Sequence, residues 1–346
     1  MDEIRTAILG FAHGHVGAYC STWREHPELG VSVAAGWDHD AKRAADNCAK
    51  YGIEAAPSVD ALLHRADIRA VVIAAETSMH ADLVAQAAAA GKAIVLQKPI
   101  ALTLAEANRI VAAVAKARVP FTLAWQMRVD RHNLRMKDLL AGGQFGRVFM
   151  VRRRHCLTTQ NMEGFDRSWH VQPELNRDIF ADDAAHAVDF IYWLLGTPKS
   201  VVAELGTLLN PRVPNDNAIA VFRYRDGAFA EVSCSFVALG GENTTEIACE
   251  NGTIIGNYGD GPSNGMRPAG APQLKWHLRE KKEWTLSDLP EIKSQWDRIV
   301  NLSGPLAEFL HGRRPAIATA DEGRTVLRLI LACYESAKQG TRIVLE

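Results

Sequence analysis

The stretch "ILGFAHGHVGAY", residues 8–19, decides how the rest of the chain is read. It follows a short apolar run and turns at Gly10, as a phosphate-binding loop between a strand and a helix does. The pattern G-x-G-x-x-G would place two more glycines where this chain has Ala12 and His15. His13 and His15 also stand at a spacing that metal ligands use. Three readings are open here: a nucleotide loop short of two glycines, a metal site, or a plain turn.

Working outward, residues up to about 124 alternate β-rich runs with amphipathic helical stretches. The runs are "RTAILG", "VSVAAGW", "IRAVVIAA", "AIVLQKP" and "PFTLAWQ". Between them lie "YCSTWREH", "DAKRAADNCAKYG", "MHADLVAQAAAAGK" and "TLAEANRIVAAVAKARV". Strands this apolar need cover on both faces, so residues 1–124 are expected to form a Rossmann-type, doubly wound parallel sheet. "SVDALLHRA" reads as a further short helix, capped by Ser58 with Asp60 in its first turn. Gly91 should stop the helix before it.

After residue 125 the texture changes. "NLRMKDLLAGG" reads as a helix, "GRVFMVRRRHC" as a strand, and 177–196 as a helix. "SVVAELGTLL", "NAIAVFRYRDGAFAEVSCSFV" and "TTEIACENGTIIG" follow as strands without helices between them, and "RDG" marks a hairpin. Residues 257–275 read as a loop, and about 294–311 and 320–338 as helices. The second domain, 125–346, is thus expected to be α+β with a broad, mainly antiparallel sheet.

The bulk numbers narrow the class. A chain of 346 residues, 47% hydrophobic and 23% charged, is a globular protein with room for two domains. Its 39 Lys and Arg against 40 Asp and Glu give no field that would gather nucleic acid or an anionic membrane. "VRRRH" at 151–155 is a local basic cluster, expected at a strand edge or interface. Six scattered cysteines read as reduced, packed thiols. "MDEIRTAILG" lacks the features of a signal peptide, and no apolar run approaches the roughly 18 residues of a membrane span. A cytoplasmic protein is expected.

For a dinucleotide, Gly10 supplies the tight turn and the following helix its N-terminal N–H groups. Asp38 ends the second strand, where such folds place an acid on the adenosine ribose; a helix N-cap is the other reading of this residue. The gap of 28 residues from Gly10 exceeds the roughly 20 of the compact fingerprint, and a longer first helix would absorb it. His39 follows Asp38, so no base adjoins it to neutralise a 2′-phosphate, and NAD is expected over NADP. A metal at His13 and His15 would need ligands from elsewhere that no nearby pairing offers. No metal is expected, and both histidines are expected to line the cofactor cleft.

Four stretches together resemble the Gfo/Idh/MocA oxidoreductases, relatives of glucose–fructose oxidoreductase and inositol dehydrogenase. They are the opening loop, "VVIAAETSMHADLVAQAAAAGK" (71–92), "VLQKPIALTLAEA" (95–107) and "DDAAHAVDFIYWLLG" (182–196). The last two are similar to the family's E-K-P and D-x-G-x-H-x-x-D signatures. The resemblance implies that Lys98, Asp182 and His186 are catalytic. It also implies a cofactor wall of Gly10, Phe11, Ala12, His13, His15, Val16, Asp38, His39, Ala75, Glu76, Thr77, His80, Gln97 and Lys98. Asp182 and His186, i and i+4 on a helix, should share one face. His186 is the expected general base, Lys98 the group that holds the substrate oxygen, and Asp182 an orienting acid. Gln126, Arg128, Trp169 and His170 are candidate substrate contacts. The chain departs from the pattern at Gln97 for glutamate, Glu76 and Thr77 for Pro and Asn, Asn176 and Arg177 where glycines often stand, and Ala184 for glycine.

The resemblance implies an NAD-dependent dehydrogenase acting on a hydroxyl of a sugar, inositol or related polyol. An NAD-binding regulator without turnover, and an NAD-using glycosidase or lyase, are the alternatives. The broad sheet offers a face that would pair subunits, so a homodimer or homotetramer is expected.

Overall fold

Elements alternate through the first part of the chain as β1 (Ile4–Leu9), α1 (Val16–Glu25), β2 (Val31–Trp37), α2 (Ala41–Tyr51), β3 (Glu54–Ala55), α3 (Val59–Leu63), β4 (Ala70–Ile73), α4 (His80–Ala89), β5 (Ala93–Leu96), α5 (Leu104–Ala117) and β6 (Phe121–Leu123). This computed structural model describes residues 2–239, 243–257 and 270–345, and every count refers to these. All six strands pair in parallel, in the order β3-β2-β1-β4-β5-β6. The expected doubly wound sheet is therefore present, with β3 a two-residue addition too short to show a pattern. Local capping works as the residues dictate. Ser58 accepts from Ala61 N, and Thr103 with Glu106 closes a capping box on α5. Asp40, not Asp38, caps α2.

The direction of strand order reverses between β1 and β4, where open parallel sheets bind their ligands. Gly10 ends β1 there with φ +88°, and a Cβ built on it would lie 2.4 Å from Cα and Cβ of Ala75. Only glycine meets both demands.

The chain divides into two compact units, and not at a single point. The first holds the chain up to Gln126 with Glu174–Asn176 and Ile299–Leu327; the second holds Met127–Pro173, Arg177–Arg298 and the chain from Arg328. The return of 299–327 is not visible in the sequence pattern. Its reason is the open edge of β6: Leu123 N donates to Ala318 O and Ile317 N to Thr122 Oγ1, both at 2.9 Å.

The later elements are α6 (Arg131–Ala141), β7 (Val148–Cys156), α7 (Pro173–Asn176), a π-helical turn (Phe180–Ala184) running into α8 (Ala185–Leu195), then β8 (Ser200–Gly206), β9 (Asn217–Arg223), β10 (Phe229–Ser235), β11 (Thr244–Cys249), β12 (Gly252–Asn257), β13 (Leu274–Leu278), β14 (Thr285–Leu286), α9 (Gln295–Val300), α10 (Ser303–Leu310), α11 (Ala320–Gln339) and β15 (Ile343–Val344). Nine strands of the second unit form one sheet, β14-β13-β12-β11-β7-β10-β9-β8-β15, antiparallel except for β7 beside β10. "RDG" turns the β9–β10 hairpin. The helix expected over 177–196 begins only at Phe180, and the one expected over 294–311 is broken into α9 and α10. The loop expected over 257–275 lies mostly outside the described residues.

"VRRRH" is not a strand edge. β7 is central, so its side chains alternate between two faces. Arg152 and Arg154 are exposed, while Arg153 is buried, donates to Thr245 Oγ1 at 2.7 Å and lies over the Phe190 ring. All six cysteines are buried and unbridged.

Gly10→Ala should destabilise the protein by about 2 kcal/mol or more, from left-handed strain and the collision with Ala75. Urea unfolding measures it, and an unchanged midpoint would mean that the turn relaxes freely.

Candidate functional site

In the first unit, the loops after β1, β2 and β4 meet. Phe11 N donates to Asp38 Oδ2 at 2.6 Å, and His13 N donates to Ala74 O at 2.9 Å. The Phe11 ring packs against Gly36, where a Cβ would approach to 2.5 Å. His15 stands at the N-cap of α1 without capping it, and the rings of His13 and His15 meet edge to face at 4.3 Å. Val16 starts the helix, Ala12 is half-buried, and Gly14 is exposed with open space where a Cβ would project.

Asp38 is buried and paired with a residue the sequence reading did not single out. Arg43 Nε donates to Asp38 Oδ2 at 2.7 Å, and its Nη2 donates to Asp38 Oδ1 and Glu76 Oε1, both at 2.8 Å. A base does therefore stand beside Asp38, contrary to the expectation drawn from His39. One turn of α2 carries Arg43 back over the strand end, which adjacency in sequence does not reveal. His39 Nδ1 lies 3.4 Å from Asp38 and 3.5 Å from Glu76.

Thr77 Oγ1 bonds Asn176 Oδ1, within the same unit. His80 is buried between two carbonyls, with Nδ1 at 2.9 Å from Pro99 O and Nε2 at 3.2 Å from Ala75 O. It braces the loops after β4 and β5. Gln97 points under α1, donating to Tyr19 Oη at 2.8 Å, and its Oε1 is buried without a partner among the described residues. Lys98, next to it and before the cis Pro99, is buried just past the C-terminal end of β5. Gln126 is fully buried.

In the second unit, the π-helical turn places two adjacent carboxylates on different imidazoles. Such a turn closes i to i+5 instead of i to i+4, so the side-chain alignment differs from that of a regular α-helix. Asp182 Oδ2 lies 2.7 Å from His170 Nδ1, and the His170 ring stacks on Trp169 at 4.0 Å and on Phe165 at 5.7 Å. Asp183 lies 3.1 Å from His155 Nε2 and 3.8 Å from His186 Nε2. Asp183, next to the expected acid Asp182, is thus a second carboxylate within reach of the expected base. Asp183 and His155 were missed; the doublet "DD" and the inward alternation of β7 were their only sequence signals.

Arg128, expected on the substrate side, forms a buried ion pair with Asp189, Nη2 donating to Oδ1 at 2.7 Å and Nε to Oδ2 at 3.0 Å. The acid is the last residue of the H-x-x-D run. Arg177 adopts φ +71°, the conformation a glycine would supply, with its guanidinium over the Tyr334 ring at 5.4 Å. Ala184 is buried in the π-turn. Among the described residues, no group of three or more His, Cys, Asp or Glu could hold a metal ion, and no helix is long and apolar enough to cross a membrane.

The first unit fits a dinucleotide on its own features: strand order that reverses at β1 and β4, a glycine turn at φ +88°, an α1 N-terminus without a side-chain cap, and a buried Gln97 oxygen with no hydrogen-bond partner among the described residues. Together with the mixed sheet of the second unit it defines an oxidoreductase of the NAD-binding Rossmann class. A family model described as "Oxidoreductase family, NAD-binding Rossmann fold" matches residues 4–124, and the GFO/IDH/MocA C-terminal domain matches 133–255. The chain belongs to the GFO/IDH/MocA oxidoreductases. D-apiose dehydrogenase of Paraburkholderia graminis is 27% identical over all of this chain and 91% of its own. Inositol 2-dehydrogenase of Rhizobium meliloti is 30% identical over 54% of this chain and 55% of its own. The WlbA dehydrogenase of Bordetella pertussis, solved with NADH and UDP-GlcNAcA, shares the fold at a TM-score of 0.81, with 22% identity over 99% of each chain.

Burial outweighs the hydrogen bonds to the backbone of Ala75, Pro99 and Ile100 and the charge of Glu76, and lowers the His80 pKa from 6.5. The folded chain therefore favours neutral His80, and the stability this contributes, full above pH 6.5, is lost as pH falls through the lowered value. Urea unfolding of the wild type should weaken from pH 7 to pH 5. A His80→Asn variant should weaken less steeply; equal slopes would clear His80 as the cause.

Proposed function

We propose that the protein is an NAD-dependent dehydrogenase that transfers hydride between a hydroxyl-bearing carbon of a sugar, inositol or related polyol and the nicotinamide. The observation that carries the reading is the pair of histidine–aspartate couples built on Asp182 and Asp183, in a chain whose Rossmann unit buries Lys98 at a strand end. The relatives that are dehydrogenases of apiose and inositol support the substrate class.

A bound nicotinamide supplies the hydride acceptor. The proton and the developing charge fall to side chains. His186 takes the hydroxyl proton, and Asp183, 3.8 Å from its Nε2, offsets the positive charge the ring gains. Asp183 is itself held by His155 at 3.1 Å, which fixes its direction. Lys98 brings an ammonium to the substrate oxygen, stabilising the alkoxide character that grows as the proton leaves. Asp182 accepts from His170 Nδ1, so the half-buried ring turns its other edge toward the substrate, with Trp169 stacked behind it.

The assembly is a homodimer or homotetramer of cytoplasmic location. Ile219 and Phe229 support the pairing: they lie on neighbouring strands, on one face of the broad sheet, and are 55% and 40% exposed. Light scattering in solution should give a multiple of the 37.9 kDa chain; a monomer at micromolar concentration would remove the assembly.

A panel of sugars, inositols and polyols with NAD should yield NADH absorbance together with an oxidised product. No reduction and no product with any of them would sink the dehydrogenase reading. In the same assay Lys98→Met should abolish turnover and leave NADH affinity nearly intact. Asp183→Asn should lower kcat about tenfold or more at unchanged NADH affinity. An undiminished rate in either variant removes that residue from the mechanism.

A further inference from the structure

The acid at the end of β2 is already used up. The Asp38 side chain is 0% exposed. Its Oδ2 accepts from Phe11 N at 2.6 Å and Arg43 Nε at 2.7 Å, and its Oδ1 from Asp40 N at 2.9 Å and Arg43 Nη2 at 2.8 Å. A carboxylate offers about four acceptor positions, and all are filled. A ribose diol could bond Asp38 only by displacing a backbone donor or the guanidinium.

What the cluster offers outward is the other side of that guanidinium. Arg43 Nε and Nη2 are committed to Asp38 and Glu76, whereas its Nη1 has no partner among the described residues and the side chain is 25% exposed. Two buried carboxylates hold the fork in a single orientation, so little entropy remains to be lost when Nη1 donates. The charge balance points the same way. Asp38 and Glu76 outnumber the one guanidinium, and the capping carboxylate of Asp40 stands close by, so the local field disfavours a further anion. Lys42, the other cation near this end of α2, is turned to Asp46 at 2.5 Å.

On this geometry, and resting on NAD binding by the first unit, we infer that Arg43 is the residue that meets the adenosine ribose, and that Glu76 sets the preference for a 2′-hydroxyl over a 2′-phosphate. Asp38 is then a positioning residue that aims Arg43 and ties down the glycine loop through Phe11 N. Glu76, a departure from the family pattern, is given a role by this reading: it leaves the guanidinium with no net positive charge to spend on a phosphate. A 2′-phosphate, carrying between one and two negative charges at neutral pH, would face a cluster that is already anionic.

Calorimetric titration of the full chain with NADH and NADPH, at one fixed salt concentration, tests the inference without relying on turnover. The wild type should bind NADH in preference to NADPH. Glu76→Gln should lower the NADPH-to-NADH ratio of Kd values by about tenfold or more, because it removes one charge facing the phosphate. Arg43→Lys, which keeps the charge and loses the planar fork, should weaken NADH binding about fivefold or more, with circular dichroism and melting temperature reporting that both variants are folded. A ratio unchanged within twofold in Glu76→Gln, or undiminished NADH affinity in Arg43→Lys, would overturn it. Should Glu76→Gln not fold, the Arg43→Lys titration decides alone. Wild-type protein that binds neither dinucleotide would bring down the NAD reading and the inference with it, an outcome distinct from binding without discrimination.

Discussion

Gly10 and Ala75 stand so close that neither a side chain at 10 nor a shift of the β4 loop is possible without the other moving. That contact sits where the strand order reverses, and it draws the ends of three strands into one place. With the β1 turn pressed against the β4 loop, His13 N reaches Ala74 O and Phe11 N reaches Asp38. Glu76 is then brought beside the start of α2, where Arg43 bonds it and Asp38 together. The polar cluster is a consequence of a packing constraint on one glycine.

Both units bury some of their charge as ion pairs, which offsets the desolvation cost of a lone ion. Arg43 is shared by Asp38 and Glu76 in the first; Arg128 pairs with Asp189 and Arg298 with Asp130 in the second. Such pairs contribute little net stability, yet breaking one is expensive, so they fix orientation. Orientation is what a hydride-transfer site needs, since a displaced base or ammonium forfeits most of its effect. The π-turn at 180–184 serves the same end by sending Asp182 and Asp183 to separate histidines.

The departures from the family pattern have physical accounts. Arg177 keeps the backbone conformation of the glycine it stands for, at φ +71°, and the Tyr334 ring covers its guanidinium. Gln97 exchanges a carboxylate for an amide that Tyr19 can accept from, under α1. Thr77 ties the β4 loop to Asn176, so two departures in distant stretches answer one another.

Local pattern alone was enough for the parallel domain, the cap at Ser58 and the mainly antiparallel second sheet, while the family resemblance singled out Lys98, Asp182 and His186 as residues worth testing. Periodicity and capping are short-range properties, and the fold features depend on little else. The return of 299–327 to cover β6, the turning inward of Arg153, the capture of Arg128 by Asp189, and the meeting of Arg43 with Asp38 and Glu76 were decided only by tertiary structure. Each depends on which face of an element lies buried, or on which backbone and charged groups residues far apart in sequence bring to it. "ILGFAHGHVGAY" lies between the two cases. Its glycine announces the turn, but what that turn is pressed against, and so why its first residue must be glycine, is settled by a strand more than 60 residues away.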